Sequence, residues 1–395
     1  MTSWYNNTHP YRKKISIYGK NISGNHSNFP FLFYISSTAD VDIQRYAHSG
    51  GKDFIFTQSD GITRTHCEIE NWNNGSGAVW VRVPSLTNRT SGALYLYYGA
   101  KTDNTNDAGY KPSGVWNSNF RGVWHMNNTP AGLNSIIDST AFGNHGSSQN
   151  SMNSTDSVKG MVGKAINFNR IGWSPATGGG DYIKVSGGAH YSSLSVSGNL
   201  SITSWAYVKP MSLDYGYYYL LEKNGGVLDN KDNYSLFFYR TSSMYCEWTG
   251  DSGYTIVNSK TMTSPNNPAG SWKYYGCIWD KSVNKVRYSI NGVEFDTDTN
   301  TNNIRSWVSG ALYIGCQGDP SYPVDYFFDG MLDEIRIEKV ARTTGWIKTT
   351  YSSMKNPMGF YSLGGSETKF SVSGDGKLCF YGGNRELIFS TVRNY

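Results

Sequence analysis

Apolar and polar residues alternate along most of the chain in runs of four to nine. A period of two predicts short, half-buried β-strands rather than helices. Residues 12–18 (RKKISIY), 80–83 (WVRV), 94–97 (LYLY), 200–208 (LSITSWAYV), 286–290 (VRYSI) and 334–338 (EIRIE) carry the pattern, with turn formers between them. Asn291-Gly292 is the strongest hairpin signal, because both central residues of a type I′ turn need positive φ. Asp60-Gly61 is a second candidate. One stretch has helical spacing, residues 343–351: Thr343 is placed to N-cap it, and Trp346 with Thr350 and Ile347 with Tyr351 recur four apart.

Composition supports an all-β reading. Of 395 residues only 16% are charged while 15% are aromatic, and there are 44 glycines. Coiled coils and disordered polyelectrolytes are poor fits, and the length suits two or three domains. A net charge of +5, with no basic cluster beyond Arg12-Lys13-Lys14, argues against nucleic-acid binding. The longest apolar run, residues 29–35, is far short of the roughly 20 residues that span a bilayer. Residues 1–7 (MTSWYNN) have no apolar leader core. The five cysteines (67, 246, 277, 316 and 379) are scattered and odd in number. They are expected to be buried reduced thiols, consistent with folding in a reducing cytoplasm.

Boundaries show in composition. Residues 100–113 are polar and punctuated by Pro and Gly, which predicts a linker, and 144–159 reads as a long Ser/Asn-rich surface loop. The expected division is 1–112, 113–365 and 366–395. Trp4 with residues 11–15 (YRKKI), 28–32 (NFPFL), 51–61 (GKDFIFTQSDG), 68–72 (EIENW) and 94–99 (LYLYYG) resembles a small β-rich domain of uncharacterised function found in archaeal and bacterial surface proteins. Residues 123–126 (VWHM), 138–146 (DSTAFGNHG), 163–168 (GKAINF), 202–205 (ITSW), 288–292 (YSING), 312–315 (LYIG) and 328–337 (FDGMLDEIRI) resemble a concanavalin A-like, laminin-G-type jelly roll. The resemblance implies an all-β chain: a small β-sandwich domain, then the jelly roll, then a short C-terminal β meander. Trp205, Trp272, Trp279 and Trp307 are expected to fill the space between its sheets.

Hydrolytic chemistry is poorly represented. Phosphate loops, zinc motifs and nucleophile elbows are absent, and the seven histidines show no ligand spacing. Jelly-roll glucanases carry Glu-x-Asp-x-Glu on one strand. Here Arg336 stands between Glu334 and Glu338, where it is expected to pair with both carboxylates and hold them ionised, removing the general acid. Laminin-G-type domains often hold one Ca²⁺. The matching oxygen donors are Asp138, Asn144 and Asp333, with Asp329 nearby, although Ala141 and Phe142 replace the usual Gly and Asn of that turn. Tyrosine-rich segments offer a glycan-stacking surface at Tyr215, Tyr217, Tyr218, Tyr219 and Tyr322.

The last 30 residues read as three short strands with Phe370, Val372, Leu378, Phe380, Leu387 and Phe389 as apolar positions. So short a segment cannot fold alone and must dock, on a sister subunit (a homotrimer by analogy with fibres), on another virion protein, or on its own jelly roll. These features lead to the expectation of a non-enzymatic virion surface protein (a phage capsid decoration, head fibre or tail-associated adhesin) that binds host glycans. The alternative is a cell-surface or secreted glycan-binding adhesin of a bacterium or archaeon. An enzyme acting on polysaccharide is disfavoured.

Overall fold

The computed structural model describes residues 4–6, 8–36, 39–88, 92–100, 103, 109–171, 179–210, 216–224, 232–240, 243–250, 255–262, 268–305, 310–318, 325–372, 378–382 and 385–389. The chain divides into two compact units, one made of residues 1–115 and 352–395 and the other of residues 116–351.

In the first unit the strand Tyr11–Ile17 pairs antiparallel with Gly92–Tyr98, which pairs in turn with Ile55–Gln58. A second sheet joins His26–Ile35, Ser76–Leu86 and Cys67–Asn73. The two sheets meet through aromatic rings: Phe33 of one lies 5.6 Å from Phe56 and 5.5 Å from Tyr361 of the other. Tyr361 identifies a departure from the expected boundaries. Residues 360–365, expected to close the jelly roll, instead supply the strand Tyr361–Leu363, which pairs with Ile15–Ile17. Glu367–Thr368 continues along the same edge. The physical reason is an otherwise open edge: Tyr11–Ile17 has Gly92–Tyr98 on one side, and unpaired strand edges are costly and prone to association. Arg12 locks the seam. Its guanidinium donates to Glu367 at 2.7 and 2.8 Å and to the Tyr97 hydroxyl at 2.9 Å, while its plane lies over Trp4 and Tyr95.

The C-terminal meander forms as Phe370–Val372, Leu378–Gly382 and Arg385–Phe389. Its register sets Phe370 opposite Phe380 and Phe380 opposite Leu387, then Val372 opposite Leu378 and Leu378 opposite Phe389.

The second unit is two antiparallel sheets face to face. One has the strand order Val293–Thr299, Lys285–Ile290, Lys273–Asp280, Leu200–Val208, Gly330–Glu338, Lys164–Phe168, Ser157–Lys159, with Phe120–Trp124 also on Gly330–Glu338. The other runs Thr255–Thr261, Ser243–Thr249, Asp232–Tyr239, Tyr217–Asn224, Leu312–Ile314, Tyr182–Val185, Ser147–Gln149. Residues 144–159 are thus more than a surface loop, because they contribute one edge strand to each sheet. Asn291 and Gly292 have φ of 53° and 75°, the type I′ hairpin the pair predicts. Asp60-Gly61 makes a wider turn instead: Asp60 accepts from the N–H groups of Ile62 and Thr63, and Gln58 N–H reaches Thr63 O at 2.7 Å. Residues 344–355 are helical, and Thr343 Oγ1 caps them by accepting from Trp346 N–H.

The sandwich core is lined by inward positions such as Ile202, Leu236, Trp248, Trp279, Leu332 and Ile335. Trp279 lies between the sheets, 5.1 Å from Trp248. Trp205 is equally buried but on the opposite face of its sheet, against Tyr274 and Tyr351, because Leu200, Ile202, Ala206 and Val208 take the core-facing positions of its strand and alternation sends Trp205 the other way. Trp272 is half-buried, and Trp307 lies outside the described residues. The cysteine expectation needs correction. Cys246 and Cys277 are both inward positions of facing sheets and form a disulfide across the core, with Cα atoms 6.7 Å apart. Sequence separation of 31 residues conceals a pair that the topology superposes. Cys67 and Cys316 are free and buried, and burial pushes the Cys67 thiol up to about 12.

Residues 116–351 should fold as an isolated fragment with a cooperative melt. Residues 1–115 alone should not, since they lack the strand that covers Tyr11–Ile17 and the Glu367 partner of Arg12. Fusing them to residues 352–395 through a glycine linker should restore a cooperative transition by circular dichroism. A cooperative melt for 1–115 alone would contradict the seam's role.

Candidate functional site

Three neighbouring strands of the seven-stranded sheet carry aromatics on both faces. On Tyr217–Asn224, Asp232–Tyr239 and Ser243–Thr249, the inward set is Tyr218, Leu220, Tyr234, Leu236, Phe238, Met244 and Trp248. The outward set follows from register, with Tyr217 opposite Tyr239, Tyr219 opposite Phe237, and Phe237 opposite Tyr245. Directly opposed residues share a face, so these five rings form one array outside the sandwich. Tyr219 and Phe237 stack at 4.4 Å and 19°, and Phe237 and Tyr245 at 4.9 Å and 14°. Strands lie about 4.8 Å apart, so rings standing on adjacent strands stack face to face like slices. The rings of Tyr219, Phe237 and Tyr245 thereby lie face to face, while Tyr217 meets Phe237 and Tyr245 edge on.

Tyr326 completes the array. Its backbone has φ of 48°, uncommon for an aromatic residue, and its carbonyl accepts from Tyr219 N–H. That places its ring 5.2 Å from Tyr217, edge to face. Tyr217, Tyr239, Tyr245 and Tyr326 are half-buried, whereas Tyr219 and Phe237 are buried. Burial first, then the Tyr239, Tyr245 and Tyr326 phenols and the Glu247 carboxylate, push the Tyr217 phenol up. Arg240 sits over Tyr239 at one edge.

Of the tyrosines the sequence singles out, this geometry keeps Tyr217 and, as a stacked support, Tyr219. Tyr218 belongs to the sandwich core and cannot stack on a ligand. Tyr215 and Tyr322 lie outside the described residues. Phe237, Tyr239, Tyr245 and Tyr326 come from segments the sequence reading did not flag. The alternating run Tyr234-Ser-Leu-Phe-Phe-Tyr239 carried a usable signal.

The expected calcium donors serve as hydrogen-bond acceptors. Asp138 Oδ1 accepts from the N–H groups of Val123 and Thr140 at 2.9 and 3.0 Å, and Oδ2 from Thr140 Oγ1 and Asn144 N–H at 2.7 and 2.8 Å. Burial still raises its pKa, against the lowering effect of those donors. Asn144 Oδ1 accepts from Ser193 Oγ and is within 2.9 Å of His190 Nδ1, and its carbonyl accepts from the Trp124 indole. Asp333 Oδ2 accepts from Met161 and Val162 N–H, and Asp329 pairs with Lys209 at 2.7 Å. Among the described residues, no group of three acidic, His or Cys side chains with metal-ligand spacing includes Asp138, Asp329 or Asp333. Asp138 and Asn144 staple the turn to the Phe120–Trp124 strand through Val123 N–H, the Trp124 indole and the Arg121 carbonyl.

The Glu334-x-Arg336-x-Glu338 strand is a buried charge relay of a structural kind. Glu334 is 0% exposed; Arg336 donates to its Oε2 at 2.7 Å, and His125 Nδ1 lies 2.6 Å from its Oε1. Burial would raise the Glu334 pKa, but the His125 and Arg336 charges overcome it and hold the carboxyl below its ordinary value. Arg336 also lies under the Trp116 ring at 4.8 Å. Glu338 departs from expectation: Arg342, four residues on, takes it as partner, donating through Nε at 2.5 Å, and Arg342 stacks on Trp346. Glu334 has φ of 51° at a bulge.

The face-to-face antiparallel sheets define a lectin-like β-sandwich. Residues 177–348 match the family model of the concanavalin A-like lectin/glucanases superfamily, laminin-G type, and residues 50–111 match a domain of unknown function (DUF2341). The chain thus carries a concanavalin A-like domain preceded by that β-rich domain. No curated protein matches the chain. Similar solved structures include the botulinum neurotoxin serotype D/C binding domain (10% identity, TM-score 0.42, covering 60% of this chain and 52% of that one). The serotype G binding domain is similar at 10% identity and TM-score 0.41, covering 59% and 50%. The chain spans about half the length of these structures.

Two outcomes follow from this chemistry. Because the Asp138 and Asn144 oxygens already receive protein donors, excess EDTA should leave the melting temperature unchanged; a chelator-dependent drop reversed by Ca²⁺ would contradict the assignment. Lys223, on the same strand as Tyr217, is fully buried, its Nζ donates to Asn224 O, and burial brings its pKa down to about 7. Since the unfolded chain takes up that proton below about 10.4, Lys223 makes stability rise with pH between about 7 and 10. Lys223→Met should therefore stabilise at pH 7, by on the order of a few kcal/mol, and much less at pH 10, as read by urea melts. Equal effects at both pH values would refute the neutral buried amine.

Proposed function

We propose that this protein is a non-enzymatic adhesin that binds glycans through the outward aromatic array of its concanavalin A-like domain. The observation that carries the reading is the half-buried set Tyr217, Tyr239, Tyr245 and Tyr326, held rigid by ring contacts. Tyrosine supplies a hydrogen-bonding hydroxyl and apolar contact at low entropy cost, which suits sugar hydroxyls and their C–H faces. The absence of turnover rests on Glu334 and Glu338: each is buried and engaged by a basic partner, so neither serves as a proton donor to a glycosidic oxygen.

The setting we favour is a virion surface, as a capsid decoration, head fibre or tail-associated protein. The apolar face of the C-terminal meander would attach to sister subunits, in a homotrimer, or to another particle protein. The Cys246–Cys277 bridge gives specific support to the second setting, a cell-surface or secreted adhesin, because disulfides persist in oxidising surroundings.

Two experiments test this reading. Streptavidin-displayed full-length protein should bind a subset of a glycan array, with avidity well above that of the monomer. Tyr217→Ala and Tyr245→Ala should each weaken binding by about five- to tenfold per site, and no polysaccharide should be cleaved. Array binding unchanged in both variants, or cleavage lost in Glu334→Gln, would overturn it. Residues 1–369, which keep Glu367, should lose the oligomeric state of the full chain by light scattering. An unchanged mass would assign the meander to its own unit.

A further inference from the structure

The first unit holds a cavity of about 450 Å³, separate from the aromatic array, lined among others by Lys13, Tyr34, Asp40, Met358, Ser362 and Gly365. That volume lies within the range of small-molecule sites, roughly 300–1,000 Å³. Lys13 anchors the polar wall: its side chain is only 6% exposed, and its ammonium pairs with Asp40 at 2.7 Å and Asp42 at 3.2 Å. Two of its three N–H donors are thereby used, leaving one. Asp40 is fixed on both oxygens, by Lys13 at Oδ2 and by the Ile43 N–H at Oδ1, each of which retains a lone pair. The rest of the lining includes Tyr34, Tyr361, Leu363 and the apolar Met358, which is 45% exposed; Leu363, opposite Ile15, shares the sheet face of Lys13.

We propose that this cavity binds a single neutral saccharide unit. Two carboxylates against one ammonium disfavour an anionic ligand. An apolar ligand would strip water from a charged pair without replacing its hydrogen bonds, which is costly. A polyol avoids both penalties: its hydroxyls can donate to Asp40 and accept from Lys13, while its C–H face lies against Leu363 and Met358. The remaining donor of Lys13 separates this ligand from an organic cation, which would leave that N–H facing a like charge. The site is independent of the array proposed above, so the chain would carry two sugar contacts on different units.

The test is saturation-transfer NMR on the full-length protein with glucose, galactose, mannose and N-acetylglucosamine, each alone at millimolar concentration. Gly365→Leu and Met358→Trp block the cavity by different routes. A Cβ at Gly365 meets no atom within 4 Å, so that substitution fills space without a clash. At least one sugar should give a signal that falls about tenfold or more in both variants and persists in Tyr245→Ala. No sugar signal from the wild type, a signal surviving both blocking variants, or a signal displaced by propylammonium would overturn the proposal. Loss in Tyr245→Ala with retention in the blocking variants would assign the binding to the aromatic array alone.

Discussion

The second unit depends on the strand Gly330–Glu338, which is buried on both faces. Leu332, Ile335 and Ile337 face the sandwich core, while Asp333, Glu334, Arg336 and Glu338 are buried with them. Strict alternation would send Leu332 and Ile335, three residues apart, to opposite faces. The bulge at Glu334, with its left-handed backbone, brings both to the core at a cost on the order of 1–3 kcal/mol. Charges so buried are tolerable only when paired and hydrogen-bonded. Arg336, His125 and Arg342 meet that demand for Glu334 and Glu338, and Met161 and Val162 N–H meet it for Asp333. The strand can then sit between Leu200–Val208 and Lys164–Phe168 and position both sheets.

That constraint also divides binding from chemistry. A glycosidase needs one carboxyl that keeps its proton near neutral pH. Here the strand that resembles a glucanase's catalytic strand holds its carboxylates buried and paired, and the proposed binding array lies on the other sheet. Stacking between rings on adjacent strands is what fixes those phenols: each ring is held by its neighbours at the spacing the sheet dictates.

Much of the fold was legible because it rests on local signals. The runs 200–208 and 286–290, the Asn291-Gly292 turn and the Thr343 cap appear where residue alternation and turn chemistry put them. The register of the C-terminal meander likewise follows from its apolar positions. What stayed hidden was non-local. Nothing near Cys246 or Cys277 announces a partner, since their meeting depends on which strands of the two sheets face each other. Likewise, Tyr361 and Glu367 look like a domain's end until the open edge of Tyr11–Ile17 is known. The aromatic array mixes both cases: Tyr217 was visible in a tyrosine-rich run, whereas Tyr326 enters only through a turn with positive φ. Asp138 and Asn144 show the converse, a recognisable motif whose oxygens accept from the turn, from Val123 and from Ser193.

The central claim is that Glu334 is a permanently ionised structural group and not a proton donor. Carbon-detected NMR titration of the glutamate side-chain carboxyls, with Glu334 assigned through Glu334→Gln, measures this directly. The account predicts a Glu334 midpoint below the ordinary value of about 4.3, or loss of the fold before it protonates. A midpoint near neutral pH, about 6 or above as in a glycosidase acid, would contradict it.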